Sequence, residues 1–251
     1  MALLEIQDVT KAFGGVQAVD HVTLSFEESG LTSVIGPNGA GKTTLFNLIT
    51  GHLTPSGGRI VFAGEDITRL PSFEIWYKGL CRSFQITSLF PSLTVFENIQ
   101  LVQLTRHRKQ FNLFQRAAHL YQEETFEILK AVELADQANM TVSSMPYGDQ
   151  RKLEIGIVLA SNAKLMLLDE PTAGMARVER LAMAGFIERL FQERGLSIVF
   201  IEHDMDVVMS ISQKIWVMHQ GRIIVEGTPD EIRRNDEVRR IYLGEQNLWS
   251  S

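Results

Sequence analysis

Apolar and polar residues alternate along residues 3–9, 22–26 and 60–62, the period of a strand with one buried face, and these short runs predict an antiparallel sheet. Leu165-Met166-Leu167-Leu168 and, after Ser197, the rest of the run 197–201 are instead continuously apolar, which predicts strands buried on both faces in a parallel sheet. Residues 31–35 predict a further strand, and Leu45, Phe46, Leu48 and Ile49 follow at helical spacing up to Gly51. Residues 215–218 and 223–225, separated by His219-Gln220-Gly221-Arg222, predict a hairpin. Helices are expected from a capping-box start at Thr94-Val95-Phe96-Glu97 through Val102, over 117–134 with the stripe Leu120, Phe126, Leu129 and Val132, over 150–160, and over 177–194 up to Gly195. Residues 71–90 are aromatic and polar without a period, which suggests a connection between lobes. The expected fold class is therefore α/β, a core of residues 1–86 and 161–251 that includes an antiparallel β subdomain, with an α-helical subdomain inserted at 87–160.

A chain of 251 residues has room for one large α/β domain or a core with an inserted lobe. Its 45% hydrophobic and 22% charged residues are ordinary globular composition, and its net charge of −6 argues against a general nucleic-acid binder. The single cysteine, Cys81, excludes an internal disulfide and a Cys-based metal site, and a reducing cytoplasm is expected. The first residues do not resemble a secretory signal, and no window approaches the roughly 20 apolar residues that cross a bilayer. A membrane role is expected to come through a partner. Arg106-His107-Arg108-Lys109 reads either as a solvated helix end or as a contact for a membrane surface or acidic partner.

Between the strand at 31–35 and the helix after it stands Gly36-Pro37-Asn38-Gly39-Ala40-Gly41-Lys42-Thr43-Thr44, which fits the phosphate-loop pattern G-x-x-x-x-G-K-[ST] at every fixed position. Glycines let the main chain wrap a phosphate, amides at the helix start point at the anion, Lys42 adds a full charge, and Thr43 is placed to hold Mg²⁺. A nucleoside triphosphate is the expected ligand. The apolar run 165–168 ends in Asp169-Glu170, at the strand end where open α/β sheets place ligands. Two carboxylates there divide by role: Asp169 holds Mg²⁺ through its water shell, and Glu170 orients and deprotonates an attacking water, so hydrolysis is expected as well as binding. His203 also follows a strand, with a structural role and a contact to the terminal phosphate as its two readings. Phe13, between the first two strands, either stacks on a base or plugs a small core. Near Gly148, amides at a helix start are again placed to meet phosphate.

In order and spacing, residues 36–44, Gln85, residues 165–170 and His203 resemble the Walker A motif, Q-loop, Walker B motif and switch histidine of the ATP-binding subunits of ABC transporters, over nearly the full chain. The resemblance implies a P-loop NTPase (RecA-like) core, ATP and Mg²⁺ as cofactors, Phe13 stacked on adenine, and Gln85 and His203 sensing the γ-phosphate, with Gln85 also beside the metal. It implies two ATP-binding subunits closing head to tail, identical or different, so that the signature segment of one meets the ATP of the other. Here that segment is Met145-Pro146-Tyr147-Gly148-Asp149, which departs from the common L-S-G-G-Q and keeps only its second glycine. With Ile201-Glu202-His203-Asp204-Met205 it resembles the LivG-type subunit of branched-chain amino acid importers. A second departure is Ala176, where most relatives carry Asp or Asn. The implied partners are integral-membrane permease subunits received near Ile86, Leu89 and Phe90, a second ATP-binding subunit and, indirectly, a solute-binding protein. The implied location is the cytoplasmic face of the cell membrane. The P-Y-G signature disfavours the lipid-export ATPases, which are the second reading, and the lack of a second cassette disfavours a soluble ABC ATPase. A GTPase is disfavoured by the missing N-K-x-D motif.

Overall fold

The alternating runs near the start are parts of much longer strands. The structure, a computed structural model, describes residues 2–83, 89–107 and 120–243. In it β1 (Ala2–Phe13) and β2 (Val16–Glu27) pair antiparallel across the Gly14-Gly15 turn. Alternation fails along them because the register shifts repeatedly. Asp8 and His21 both take φ of 52°, and Asp8 Oδ1 lies 2.6 Å from His21 Nδ1 at this irregularity.

The chain continues through β3 (Leu31–Ile35), α1 (Lys42–Ile49), β4 (Gly57–Phe62), β5 (Glu65–Asp66), α2 (Ser72–Tyr77), β6 (Leu80–Arg82), α3 (Val95–Arg106), α4 (Gln122–Ala131) and α5 (Tyr147–Ala160). Then come β7 (Leu165–Asp169), α6 (Arg177–Arg194), β8 (Ser197–Ile201), α7 (Met205–Ile211), β9 (Lys214–His219), β10 (Arg222–Gly227), α8 (Pro229–Arg234) and α9 (Asp236–Leu243). By contacts, the described residues of Met1–Ile75 and Leu167–Ser251 form one compact unit and those of Trp76–Met166 a second.

In the first unit one sheet has the order β2-β1-β4-β5, antiparallel throughout. The other places β3 between β8 and β9, parallel to both, with β7 beyond β8 and β10 antiparallel on β9. Every residue of β3, β7 and β8 is buried, as the apolar runs predict for β7 and β8. Phe26 of β2 and Trp216 of β9 meet with ring centroids 3.9 Å apart, and the Trp216 indole N–H donates to Glu226 at 2.9 Å, so the buried ring keeps its polar edge satisfied. Thus α6 spans the residues its pattern marks, ended by Gly195 at φ 58°.

In the second unit the Thr94 hydroxyl accepts from the Glu97 amide at 3.1 Å and the Glu97 carboxylate from the Thr94 amide at 2.8 Å, the reciprocal cap that starts α3. A Cβ on Gly156 of α5 would come within 3.0 Å of Ile99 of α3, so glycine permits this close helix approach. Three expectations need correction. The stretch 71–90 carries α2 and β6, six and three residues long, too short to show a period. Instead of reaching residue 134, α4 ends at Ala131, before Glu133 takes φ of 60°. Of its stripe, Leu129 and Val132 are buried but Phe126 is 41% exposed, resting on Phe96 at 5.2 Å.

Cys81 is buried in this unit, its sulfur accepting from the Ser161 hydroxyl at 3.0 Å, and burial pushes the thiol up to about 11. Iodoacetamide is expected to leave the native protein unmodified at pH 8 and to label it stoichiometrically in denaturant. Native labelling at the rate of a free thiol, read by intact mass, would contradict this burial.

Candidate nucleotide-binding site

Between β3 and α1 the loop is held against the rest of the unit by main chain. The Ala40 amide donates to Pro37 O at 3.1 Å, and Gly221, in the turn between β9 and β10, donates to Ala40 O at 2.9 Å. Gly41 is the N-cap of α1 at φ 105°, where a Cβ would collide with the Ala18 carbonyl oxygen and lie 2.8 Å from the Met218 methyl carbon. Gly36, at φ 155°, abuts the Met218 carbonyl in the same way. Gly39 has φ of 79° and open space where its Cβ would be. Asn38 and Thr43 are exposed and Thr44 half-buried at the loop's mouth, while Ala40 is buried. Lys42 is buried, its ammonium donating to Gly36 O at 2.6 Å and Pro37 O at 3.0 Å. It is folded over the concavity that the loop encloses.

Because β3 and β8 run parallel, the loop after Ile35 and the turn after Ile201 leave the sheet at one edge. There Asp169, at the end of β7, is 2% exposed. The next residue, Glu170, turns the chain out of the strand at φ 50°, its amide donating to Ile201 O at 3.0 Å. Its half-buried carboxylate Oε1 lies 3.0 Å from His203 Nε2. The two residues expected to act at the terminal phosphate are therefore in direct contact. Glu202, only 4% exposed, was given no role by the sequence. Its Oε1 accepts from the Thr172 amide at 2.8 Å and hydroxyl at 2.6 Å, and its Oε2 from the His203 amide at 3.1 Å. A signal was available: a carboxylate directly after five buried residues is seldom left unpaired.

Beyond this turn, Arg180 pairs with Asp204 and donates to Met175 O at 2.9 Å. Ala176 is the N-cap of α6, and its amide donates to the Glu179 carboxylate at 2.9 Å. Alanine has no side-chain oxygen to return that bond. Ala176→Ser would complete the box and is expected to raise unfolding free energy by about 1 kcal/mol. Chemical denaturation checks this, an unchanged midpoint being the contrary result.

Within the second unit, α5 begins at Tyr147, three residues earlier than its apolar pattern indicates, with Pro146 as N-cap. Tyr147, Gly148 and Asp149 thus form its first turn. Gly148 has open space around it, and Asp149 accepts from the Gln137 side-chain amide at 2.9 Å. The exposed Tyr147 ring is steered by Arg151, whose Nη2 donates to the phenol oxygen at 2.6 Å and whose Nη1 donates to buried Glu154 at 2.7 Å. Burial raises the Glu154 carboxyl above the usual range, with the Arg151 guanidinium pulling it back. At the end of β1, Phe13 is 48% exposed with the Lys11 ammonium 5.3 Å from its ring centre, so it plugs no core. Gln85 and Ile86 lie outside the described residues, as do Arg108 and Lys109 of the basic cluster.

A glycine-walled anion loop, a strand-end carboxylate pair and a histidine at one sheet edge are parts of a phosphoryl-transfer site. The chain as a whole is similar to known proteins. Residues 19–173 match the family model described as ABC transporter, and residues 222–246 match that of the branched-chain amino acid ATP-binding cassette transporter. The chain is 40% identical to the high-affinity branched-chain amino acid transport ATP-binding protein BraF of Pseudomonas aeruginosa, over 97% of this chain and 98% of that one. It is 37% identical to LivG of Escherichia coli, named for the same transport, over the same shares. A crystal structure of the ADP conformation of an ATP-binding cassette of an ABC transporter superposes with a TM-score of 0.86 at 30% identity, covering 97% of this chain and 99% of that one. The loop, carboxylates and histidine described above accordingly have a family: the chain belongs to the ABC transporters, as one of their ATP-binding, ATP-hydrolysing subunits.

Proposed function

We propose that this chain powers the import of branched-chain amino acids or closely related small solutes. The observation that carries the reading is its end-to-end likeness to BraF and LivG together with the match of residues 222–246 to the model described for branched-chain amino acid transport. Permease subunits in the membrane and a second ATP-binding subunit are the partners this reading requires, with a solute-binding protein acting through the permease. No described helix is long and apolar enough to cross a membrane. A place at the cytoplasmic membrane face, held by the permease, suits that observation.

Each site residue then has a role. Lys42 exchanges its two loop carbonyls for phosphate oxygens, and main-chain amides of the loop wrap the β- and γ-phosphates. Phe13 stacks on adenine. The hydroxyl of Thr43, the carboxylate of Asp169 and the side-chain carbonyl of Gln85 are hard oxygen donors, a set that fits Mg²⁺, which when bound neutralises phosphate charge. Glu170 takes a proton from the water that attacks the γ-phosphorus, with ADP and phosphate released. His203, held against Glu170, meets the γ-phosphate, and Tyr147, Gly148 and Asp149 face the ATP of the second subunit.

Purification from detergent-solubilised membranes followed by mass spectrometry tests the assignment. Recovery with two permease chains and a second ATPase, and ATPase activity raised by a binding protein loaded with Leu, Ile or Val, is the expected result. Recovery with an export-type permease, or with no membrane protein, would overturn it.

A further inference from the structure

We infer that Glu202 is a positioning residue of ATP hydrolysis, one that fixes the contact between Glu170 and His203 by tying together the two turns that carry them. The inference rests on the roles proposed above for Glu170 and His203.

The turn after β7 runs Glu170-Pro171-Thr172, and the turn after β8 runs Glu202-His203-Asp204. Both turns lie past their strand ends, and the main-chain bond from the Glu170 amide to Ile201 O at 3.0 Å joins only the first residue of one turn to the last residue of β8. Glu202 bridges them. One carboxylate oxygen takes both donors of Thr172, two residues after Glu170, and the other takes the amide of His203. These are charge-assisted bonds in a place that is nearly sealed from water, where they are stiffest. The side chains of Glu170 and His203 then meet at 3.0 Å as a result of where their main chains are pinned. Thr172 is itself buried at 1%, so its hydroxyl is reserved for this contact.

Only a carboxylate serves all three donors. A glutamine at 202 keeps one acceptor oxygen and turns an amide group on the other donor, N–H against N–H. The main chain of one turn must then move, and the pair at the phosphate moves with it. None of these three bonds is made to the phosphate loop, so nucleotide affinity is expected to change little.

The test uses the membrane complex for ATPase kinetics and the purified chain for nucleotide titration, with Glu170→Gln run alongside. Glu202→Gln is expected to lower kcat about tenfold or more with KM and nucleotide Kd changed less than twofold. In a His203→Ala background the same substitution is expected to add little, since it acts through that histidine. Thr172→Val, which keeps the amide but not the hydroxyl, is expected to lower kcat less, and Thr172→Ser to keep it. If Glu202→Gln does not fold, the Thr172 pair carries the test. Wild-type kcat in folded Glu202→Gln, or full additivity with His203→Ala, would overturn the inference. Full activity of Glu170→Gln would instead overturn the reading on which it rests.

Discussion

Replacing Glu170 by glutamine is expected to leave ATP binding within about twofold of wild type and to lower turnover by roughly 10²- to 10⁴-fold, the span contributed by a general base. The substitution keeps the volume of the side chain and one acceptor for His203, whose ring nitrogen lies 3.0 Å from Oε1. It removes the group that takes the water proton. Single-turnover hydrolysis in the transport complex, beside equilibrium titration with a fluorescent nucleotide, separates the two effects. Turnover near wild type would remove Glu170 from the role of base, and loss of binding would mean that it supports the loop instead.

Gly41→Ala is expected to damage binding itself. The position has φ of 105°, and the added methyl would run into the Ala18 carbonyl oxygen and the Met218 side chain. Main chain cannot rotate aside as a side chain can, so the loop must open or α1 must lose its first turn. Affinity for ATP is expected to fall at least tenfold, with the melting temperature lower by roughly 5–10 °C. Titration and thermal unfolding on one preparation report both. Wild-type affinity at an unchanged melting temperature would show that the loop does not need this backbone.

The sequence was most legible where one physical cause acted alone. Residues 165–168 and 197–201 read as buried strands because both of their faces are covered, and 177–194 read as a helix with its stop because Gly195 takes the left-handed conformation that ends α6. The phosphate loop was legible because Gly36 and Gly41 answer to steric walls that leave no alternative. Elsewhere causes competed. Tyr147-Gly148-Asp149 has the composition of a turn, yet in the first turn of a helix no amide needs a partner four residues back, so α5 starts there after Pro146. Glu133 ends the region of α4 in a left-handed conformation with no glycine to announce it. For Glu202 the sequence signalled that its carboxylate must be paired but not with what, because the two donors of Thr172 become its neighbours only when β7 and β8 lie near each other.

The walls that exclude a side chain at Gly36 and Gly41 are carbonyl groups of Ala18 and Met218. Every amino acid carries that carbonyl. Mutation at 18 or 218 can therefore change the side chain without relaxing the obstacle, and no compensating substitution nearby can restore room for a Cβ. Gly36 and Gly41 are thus locked by neighbours that cannot themselves evolve away. The demand for glycine there is a property of the chain path, whatever solute the transporter carries.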